Sequence, residues 1–355
     1  MRSTSVTLRD VARAAKVHPG TVSRALNEET RGLVNEETAE RVMRAAEELG
    51  YRPNPIARGL KTNRSYTVGV VVPDLRNPLF PPIARGIEER LEPSGYTSLL
   101  ANTDNDHERE KLAFEALGAR QVDGFITGTA RRRHPLLTEL AATGIPVVQV
   151  NRRVDDETLP SVVADDRGGI ALAIDHLVEL GHRAIGHIAG SLEVSTGHQR
   201  YEGFLAAMRE RGLSADPELV PTALNYSEAE GRRLTQAILD DGQAFTALIA
   251  GNDLMALGCI DALKAAGLRC PEDVSVVGFN DMDWSDRFSP PLTTLRVPHH
   301  ELGVCSADLL LERMADPGAP AKHLVLPVEL VVRGSTAPPA ARTSARALTG
   351  RRVDH

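Results

Sequence analysis

From Thr67 onward the chain alternates short, unbroken apolar runs with longer amphipathic stretches, and no other feature narrows its fold as much. Val68-Gly69-Val70-Val71-Val72 is apolar at every position, as in a parallel strand covered on both faces. A strand with one wet face would alternate instead. Similar runs recur at Thr97–Leu100, Gly124–Thr127, Ile145–Val150, Ile185–Ile188, Ala247–Ala250 and Val274–Val277. Helical stretches lie between them, for example Glu108–Leu117, Arg200–Arg211 and Leu254–Ala266. This alternation predicts a doubly wound α/β body, and so many strands over so long a segment fit two sheets better than one. The chain is expected to pass between two lobes near Ala164-Asp165 and near Thr293-Thr294. His300–Met314 would return to the first lobe, and Leu324–Val332 would be the last crossing strand. The body then spans 65–334. Its first lobe takes about 65–164 and 295–323, and its second about 165–294 and 324–334. Residues 335–355, rich in Pro, Ala, Arg and Thr, read as a disordered tail.

The first 51 residues have a different texture and predict three short helices. Thr7 caps the first, with Asp10 three residues on, and Leu8, Val11, Ala12 and Ala15 share a face. His18 sits at an N-cap and Pro19 at the first helical position, where its missing N–H costs nothing. The helix that follows, Pro19 to Leu26, is rich in small polar side chains and carries Arg24. Two helices so joined describe a helix-turn-helix. Asn35 caps a third helix, which Gly50 ends. Residues 52–64 form a linker in which Asn54 and Pro55 can start a helix of about two turns, marginal in water unless a partner orders it. Leu60, between Arg58 and Lys61, would then be an exposed apolar side chain suited to wedge a minor groove.

Charge supports a localised nucleic-acid contact. The 355-residue chain carries a net −7. Residues 1–64 hold 12 Lys+Arg and 8 Asp+Glu, so this basic head sits on an acidic body. No stretch approaches the roughly 20 apolar residues of a membrane span, and the N-terminus has no export signal, so the expected location is the cytoplasm. Cys259, Cys270 and Cys305 are odd in number and widely spaced, against a disulfide framework or a zinc motif.

Residues 7–61 resemble the DNA-binding head of the LacI/GalR family of bacterial repressors. The resemblance rests on Thr7-Leu8, Asp10-Val11-Ala12, Ala15, Val17, Thr21-Val22-Ser23-Arg24, Leu26-Asn27, Leu49-Gly50-Tyr51, Pro53-Asn54 and Ala57-Arg58 with Leu60. It implies DNA contacts from Thr7, His18, Pro19, Gly20, Thr21, Ser23, Arg24 and Asn27. It adds Asn54, Ala57, Arg58, Leu60 and Lys61 in the hinge, with Leu60 as the wedge. Lys16 stands where the family usually has a turn glycine, and His18 where it has a serine. Pro19 and Gly20 offer no side chain for a bidentate base contact, so base reading is expected to fall on Arg24, Ser23 and DNA shape. A palindromic operator and a homodimer follow from the two-fold geometry of this motif. Residues 335–355 show no leucine heptad that would build a tetramer.

A two-lobed α/β body takes ligands beyond the carboxyl ends of its strands. The residues there are Pro73-Asp74, Asn77, Phe80, Thr127-Gly128, Asn151-Arg152, Gly190, Asn252-Asp253 and Asn280-Asp281, whose Asn, Asp and Arg side chains suit a polyol or nucleoside. Phe80, Tyr226 and Trp284 offer apolar faces, although Trp284 fits equally a loop packed on its own lobe. The body also resembles the family, through stretches such as Arg120-Gln121-Val122-Asp123-Gly124, Asn252-Asp253-Leu254-Met255-Ala256 and Asp273-Val274-Ser275-Val276-Val277-Gly278-Phe279. The resemblance implies a periplasmic-binding-protein-like body whose ligand-holding set is Arg200, Asn252 and Asn280, surrounded by Asn77, Phe80, Asn151, Tyr226 and Trp284. Asn280 stands where many sugar-responsive members carry Asp, and Val297 where many carry Gln. The expected effector is a sugar or sugar derivative, though not the commonest hexose.

No nucleophile elbow, phosphate loop or dinucleotide fingerprint is present, so no enzymatic activity and no cofactor is expected. His176, His182, His187 and the His299-His300 pair read as helix-end and interface residues, with no metal expected. A periplasmic sugar receptor would share the body but would need an export signal in place of the head. An enzyme would need an acid, base and nucleophile set that the cleft lacks.

Overall fold

The computed structural model describes residues 6–51 and 64–340. Two units pack separately, one ending at Tyr66 and the other beginning at Thr67. In the first, helix α1 (Leu8–Ala14) starts where Thr7 donates both its amide and its hydroxyl to the Asp10 carboxylate. Those bonds, the hydroxyl first, hold Asp10 below the usual carboxylate range. Helix α2 (Pro19–Ala25) begins at His18, whose Nδ1 accepts the Gly20 amide at 3.0 Å. A single turn, α3 (Glu28–Arg31), joins it to α4 (Glu36–Glu48), and Asn35 caps α4 through the Glu37 amide. The sequence reading passed over α3, because one turn leaves no periodicity to detect. Val11, Ala15, Val22, Ala25, Val42 and Ala46 form the core of the head, and the alanines let three short helices approach closely.

The body holds two sheets, as the alternating runs predict. Strands β1 (Thr67–Val72), β2 (Thr97–Asn102), β3 (Gly124–Thr127), β4 (Val147–Val150) and β5 (Ser161–Ala164) join in the order β5-β4-β3-β1-β2, all parallel. Helices α5 (Phe80–Leu91), α6 (His107–Ala119) and α7 (Pro135–Ala142) lie between them in sequence. The second lobe carries α8 (Asp166–Glu179), β6 (Ile185–Ile188), α9 (Ser195–Glu210), α10 (Glu228–Asp240), β7 (Ala247–Ala250), α11 (Asp253–Ala265), β8 (Ser275–Asn280) and β9 (Thr293–Arg296). Its strands run β9-β8-β7-β6, again parallel. Helix α12 (His299–Ala315) packs on α5 and on the first sheet, the return expected for His300–Met314.

The chain leaves the first sheet after Ala164 and enters α8. The other two crossings differ from the sequence reading. Thr293–Arg296 is a full strand of the second sheet, so that crossing comes after Arg296. Leu324–Val332 is two strands, not one. Strand β10 (His323–Leu326) pairs with β5 in the first sheet, and β11 (Glu329–Val331) pairs antiparallel with β9 in the second. Pro327 lies between them and cannot donate to a ladder, so the break falls there. The first lobe therefore keeps residues 323–326, and the second sheet has one antiparallel edge.

The segment from 335, expected to begin a disordered tail, is ordered at its start. Residues 335–340 pack on the second lobe: the Ser335 hydroxyl donates to Val276 O at 2.6 Å, and the Ala337 amide donates to Ser275 Oγ at 3.0 Å. His182 spans Thr246 Oγ1 at 2.8 Å and Ala337 O at 2.9 Å, and His176 meets Thr336 at 2.9 Å. Low-complexity composition hid this segment because its anchors are backbone carbonyls and small hydroxyls. Residues 341–355 lie outside the described residues. All three cysteines are free.

Candidate functional site

In the head, α2 buries Val22 and Ala25. Arg24, His18 and Thr7 are exposed, and Pro19, Gly20, Thr21, Ser23 and Asn27 are partly so. The α2 carbonyls near its end are taken by its own unit, with Thr30 Oγ1 donating to Arg24 O and Arg31 Nε to Ala25 O. The Arg24 guanidinium is left at the surface with no ion pair among the described residues. A capped helix start beside an exposed arginine can enter a groove and contact phosphate or base edges. The hinge expectations for Asn54, Ala57, Arg58, Leu60 and Lys61 lie outside the described residues.

In the body, a cleft of about 730 Å³ lies between the lobes, within the size of small-molecule sites. Asn77, Phe80, Asn105, Glu110, Thr129 and Arg152 line it from the first lobe, and Ser191, Val194 and Tyr226 from the second. Phe80 opens α5 and is fully buried. A Cβ on Gly128 would come within 2.9 Å of its ring, so glycine there makes room for it. Gly190 does the same for Tyr226, whose ring a Cβ would meet at 2.4 Å. The Tyr226 hydroxyl lies 3.1 Å from Thr196 Oγ1. A larger, open groove of about 1090 Å³ runs between α10 and α11. Its sides are the exposed charges of Arg232, Arg233, Asp261 and Lys264, and no buried polar group converges on it.

Three of the eight expected ligand residues, Asn77, Phe80 and Tyr226, therefore face the cleft. Arg200 is 3% exposed and already engaged: Nε lies 2.7 Å from Asp166, Nη1 donates to Gly251 O at 2.6 Å, and the guanidinium covers the Phe279 ring at 3.6 Å. Asn252 caps α11 by accepting the Met255 amide at 2.9 Å. Asn151 and Asn280 are buried at strand ends with φ of +65° and +124°. Trp284 is 66% exposed beside Arg287 and lines no part of the cleft.

Glu110 and Thr129 are cleft residues that the sequence does not point to, and Arg152, one of the post-strand residues, lines the cleft although it is outside the expected ligand-holding set. Of the consecutive pair Asn151 and Arg152, which follow the strand Val147–Val150, the cleft is lined by Arg152. Glu110 sits on a solvated helix with no local sign of burial. Its carboxylate accepts the Thr129 hydroxyl and lies 3.3 Å from His134 Nε2. His107, Glu110 and His134 stand close enough together to suggest a metal centre. However, His134 Nδ1 accepts the Arg131 amide at 3.2 Å, which leaves the ring proton on Nε2 facing Glu110. A metal-binding histidine does the reverse, donating from its far nitrogen. His187 is likewise structural: its Nδ1 bonds Ile249 O at 2.8 Å, its ring stacks on Phe204, and burial lowers its pKa to about 4.

A helix-turn-helix head carried with a two-lobed α/β body and a ligand-sized cleft defines a ligand-responsive DNA-binding regulator. Residues 7–54 match the model for bacterial regulatory proteins of the lacI family, and residues 174–336 that for the periplasmic binding protein-like domain. The chain is 35% identical over 335 residues to the HTH-type transcriptional repressor CytR of Escherichia coli (strain K12), covering 94% of this chain and 97% of that one. It is 34% identical over 330 residues to the ribose operon repressor of Halalkalibacterium halodurans, covering 93% and 97%. Among solved structures, a lac repressor dimer bound to operator and the anti-inducer ONPF superposes with a TM-score of 0.82 at 30% identity, covering 94% and 100%. A ribose-bound LacI family regulator from Enterococcus faecium covers 77% and 99%, with a TM-score of 0.68 at 34% identity. The chain belongs to the LacI family of bacterial transcription regulators. It is a DNA-binding regulator and not an enzyme. Among the described residues, no helix is long and apolar enough to cross a membrane.

Proposed function

We propose that this regulator is a cytoplasmic repressor that binds a palindromic operator as a homodimer and is switched by a small, sugar-like effector held between its lobes. The cleft carries this reading. Phe80 and Tyr226 offer aromatic faces, and Asn77, Asn105, Thr129 and Arg152 offer polar groups around one ligand-sized space. The effector would act by binding one lobe arrangement better than another, with coupling typically of about 1–3 kcal/mol. On the DNA side, α2 would lie in the major groove, with Arg24 and Ser23 toward the bases. Residues 52–64 would reach the minor groove, with Leu60 as the wedge.

The test is fluorescence anisotropy of the full chain on a palindromic operator selected from a random library, with and without ribose, cellobiose and nucleosides. Specific binding that an effector shifts, lost in Arg24→Ala and weakened in Leu60→Ala, is the expected result. Sedimentation should give a dimer. A protein that selects no operator, or a Leu60→Ala variant with wild-type operator affinity, would refute the corresponding part.

A further inference from the structure

Helix α9 begins beside the cleft without a side-chain cap, its first-turn residues buried. Val194, which precedes it, has no side chain able to accept a hydrogen bond, and the amides of Ser195, Thr196 and Gly197 have no acceptor among the described residues. The helix runs for 16 residues, so its N-terminus carries the full partial positive charge of an α-helix. Val194 lines the cleft itself, beside Tyr226, which holds Thr196 through its hydroxyl.

Arg152 enters the same space from the first lobe. It is 7% exposed, its Nε has no partner, and the one side-chain hydrogen bond of its guanidinium among the described residues is a long one, from Nη1 to Asn105 Oδ1 at 3.4 Å. The next amide along, Arg153 N, donates to Ser195 Oγ at 3.0 Å, which ties this strand end to the first residue of α9. Burial pushes the Arg152 guanidinium below its usual range; the titratable groups facing it are Tyr226, Arg200, Glu110 and Arg131, of which Tyr226 and Glu110 favour its charge. Glu110 is the one acid among them, and it forms no ion pair with Arg152 among the described residues. Arg200 is committed to Asp166, and Glu110 accepts from Thr129 beside His134. The other cleft acids are engaged elsewhere, Asp74 by Arg76, Asp104 by Arg109 and Glu228 by Arg232, and Glu193 is exposed at the rim. Asn151 and Asn280 end their strands as amides and bring no carboxylate. A buried guanidinium without an ion pair, beside an uncapped helix start, favours an anionic group.

We propose that the effector carries an anionic group, a phosphate or a carboxylate, held between Arg152 and the first-turn amides of α9. This rests on the reading of the cleft as the effector site. It narrows the ligand from sugars at large to sugar phosphates or sugar acids.

The experiment is thermal unfolding of the full chain at constant ionic strength, with inorganic phosphate replacing chloride. Wild type should show a saturable rise in Tm. Arg152→Gln should need at least roughly tenfold more phosphate for half the rise, since a charge-assisted bond is lost. In chloride, Arg152→Gln should melt above wild type, because the uncompensated charge is gone; that separates loss of the site from misfolding. Arg152→Lys, which keeps the charge, should respond between the two. Ribose, ribose 5-phosphate and gluconate then identify the group: a tighter response to ribose 5-phosphate assigns a phosphate, and to gluconate a carboxylate. Equal phosphate responses in wild type and Arg152→Gln would overturn the proposal, since that pattern is general salting-out. A response to ribose with phosphate inert would also overturn it, while leaving the cleft as an effector site.

Discussion

The guanidinium of Arg200 and the carboxylate of Asp166 meet at 2.7 Å inside the second lobe, with side chains 4% and 6% exposed. Arg200 belongs to α9, Asp166 opens α8, and a further bond to Gly251 O reaches the loop after β7. Burial pushes the Asp166 carboxyl upward, and Arg200 opposes that shift. The pair joins three elements directly behind the cleft wall, so Arg200 holds the lobe together before it can hold a ligand.

The sequence reading expects Arg200→Ala to lose the ligand response without unfolding. The buried pair changes that expectation. Removing one partner leaves Asp166 as an isolated buried acid, which should cost about 3–5 kcal/mol. Replacing both, as Arg200→Met with Asp166→Leu, should recover most of the loss. Urea midpoints at pH 7 check this, and a single variant within about 1 kcal/mol of wild type would sink it.

A second prediction concerns Asp253, which is fully buried and faces no cation. It accepts from Thr294, from the Met282 amide at 2.8 Å and from Ser285 at 3.3 Å, yet burial raises its pKa to about 6. A folded pKa above the unfolded one adds stability that is complete below about pH 4 and is lost as pH rises through 6. Asp253→Asn removes that loss, because its amide oxygen can take the Met282 amide while the Thr294 hydroxyl turns to accept. The variant should gain on wild type as pH rises from 4 to 7, by about 3 kcal/mol at most. His187 and His299, both lowered to about 4 by burial, act in the opposite direction and lose stability as pH falls. The difference between the two unfolding curves therefore isolates Asp253, and a difference constant with pH would refute the assignment.

In the head, Lys16 connects α1 and α2 with φ at +53°, the left-handed region that suits glycine. A side chain there costs about 1–2 kcal/mol. Lys16→Gly should raise the unfolding temperature of the head in calorimetry of the full chain. An unchanged or lower transition would show that Lys16 makes a compensating contact.

Patterning along the chain was enough for the architecture. Val68–Val72 reads as a doubly covered strand because every position is apolar, and α4 reads as a helix because Asn35, its apolar face and Gly50 mark both ends. Those signals are local, so they survive without knowledge of the fold. The left-handed Lys16 was legible too, as a lysine where the resembling family keeps a glycine. Strand β5 was missed because a serine and three apolar residues beside a crossing look like the crossing itself. Strands β10 and β11 were merged because apolar character continues across Pro327 while the sheet partner changes.

The site was legible only in outline. The sequence by itself determined which residue types gather beyond the strand ends: asparagines, arginines and a few aromatics. Tertiary structure alone decided which of them meet open space. Asp166, 34 residues before Arg200 in the chain, turned that arginine into a structural pair. Arg152 lines the cleft without an ion pair among the described residues, while Asp74, Asp104 and Glu228 are held by other arginines. Whether a charge is free depends on distance in space, and no reading along the chain contains that distance.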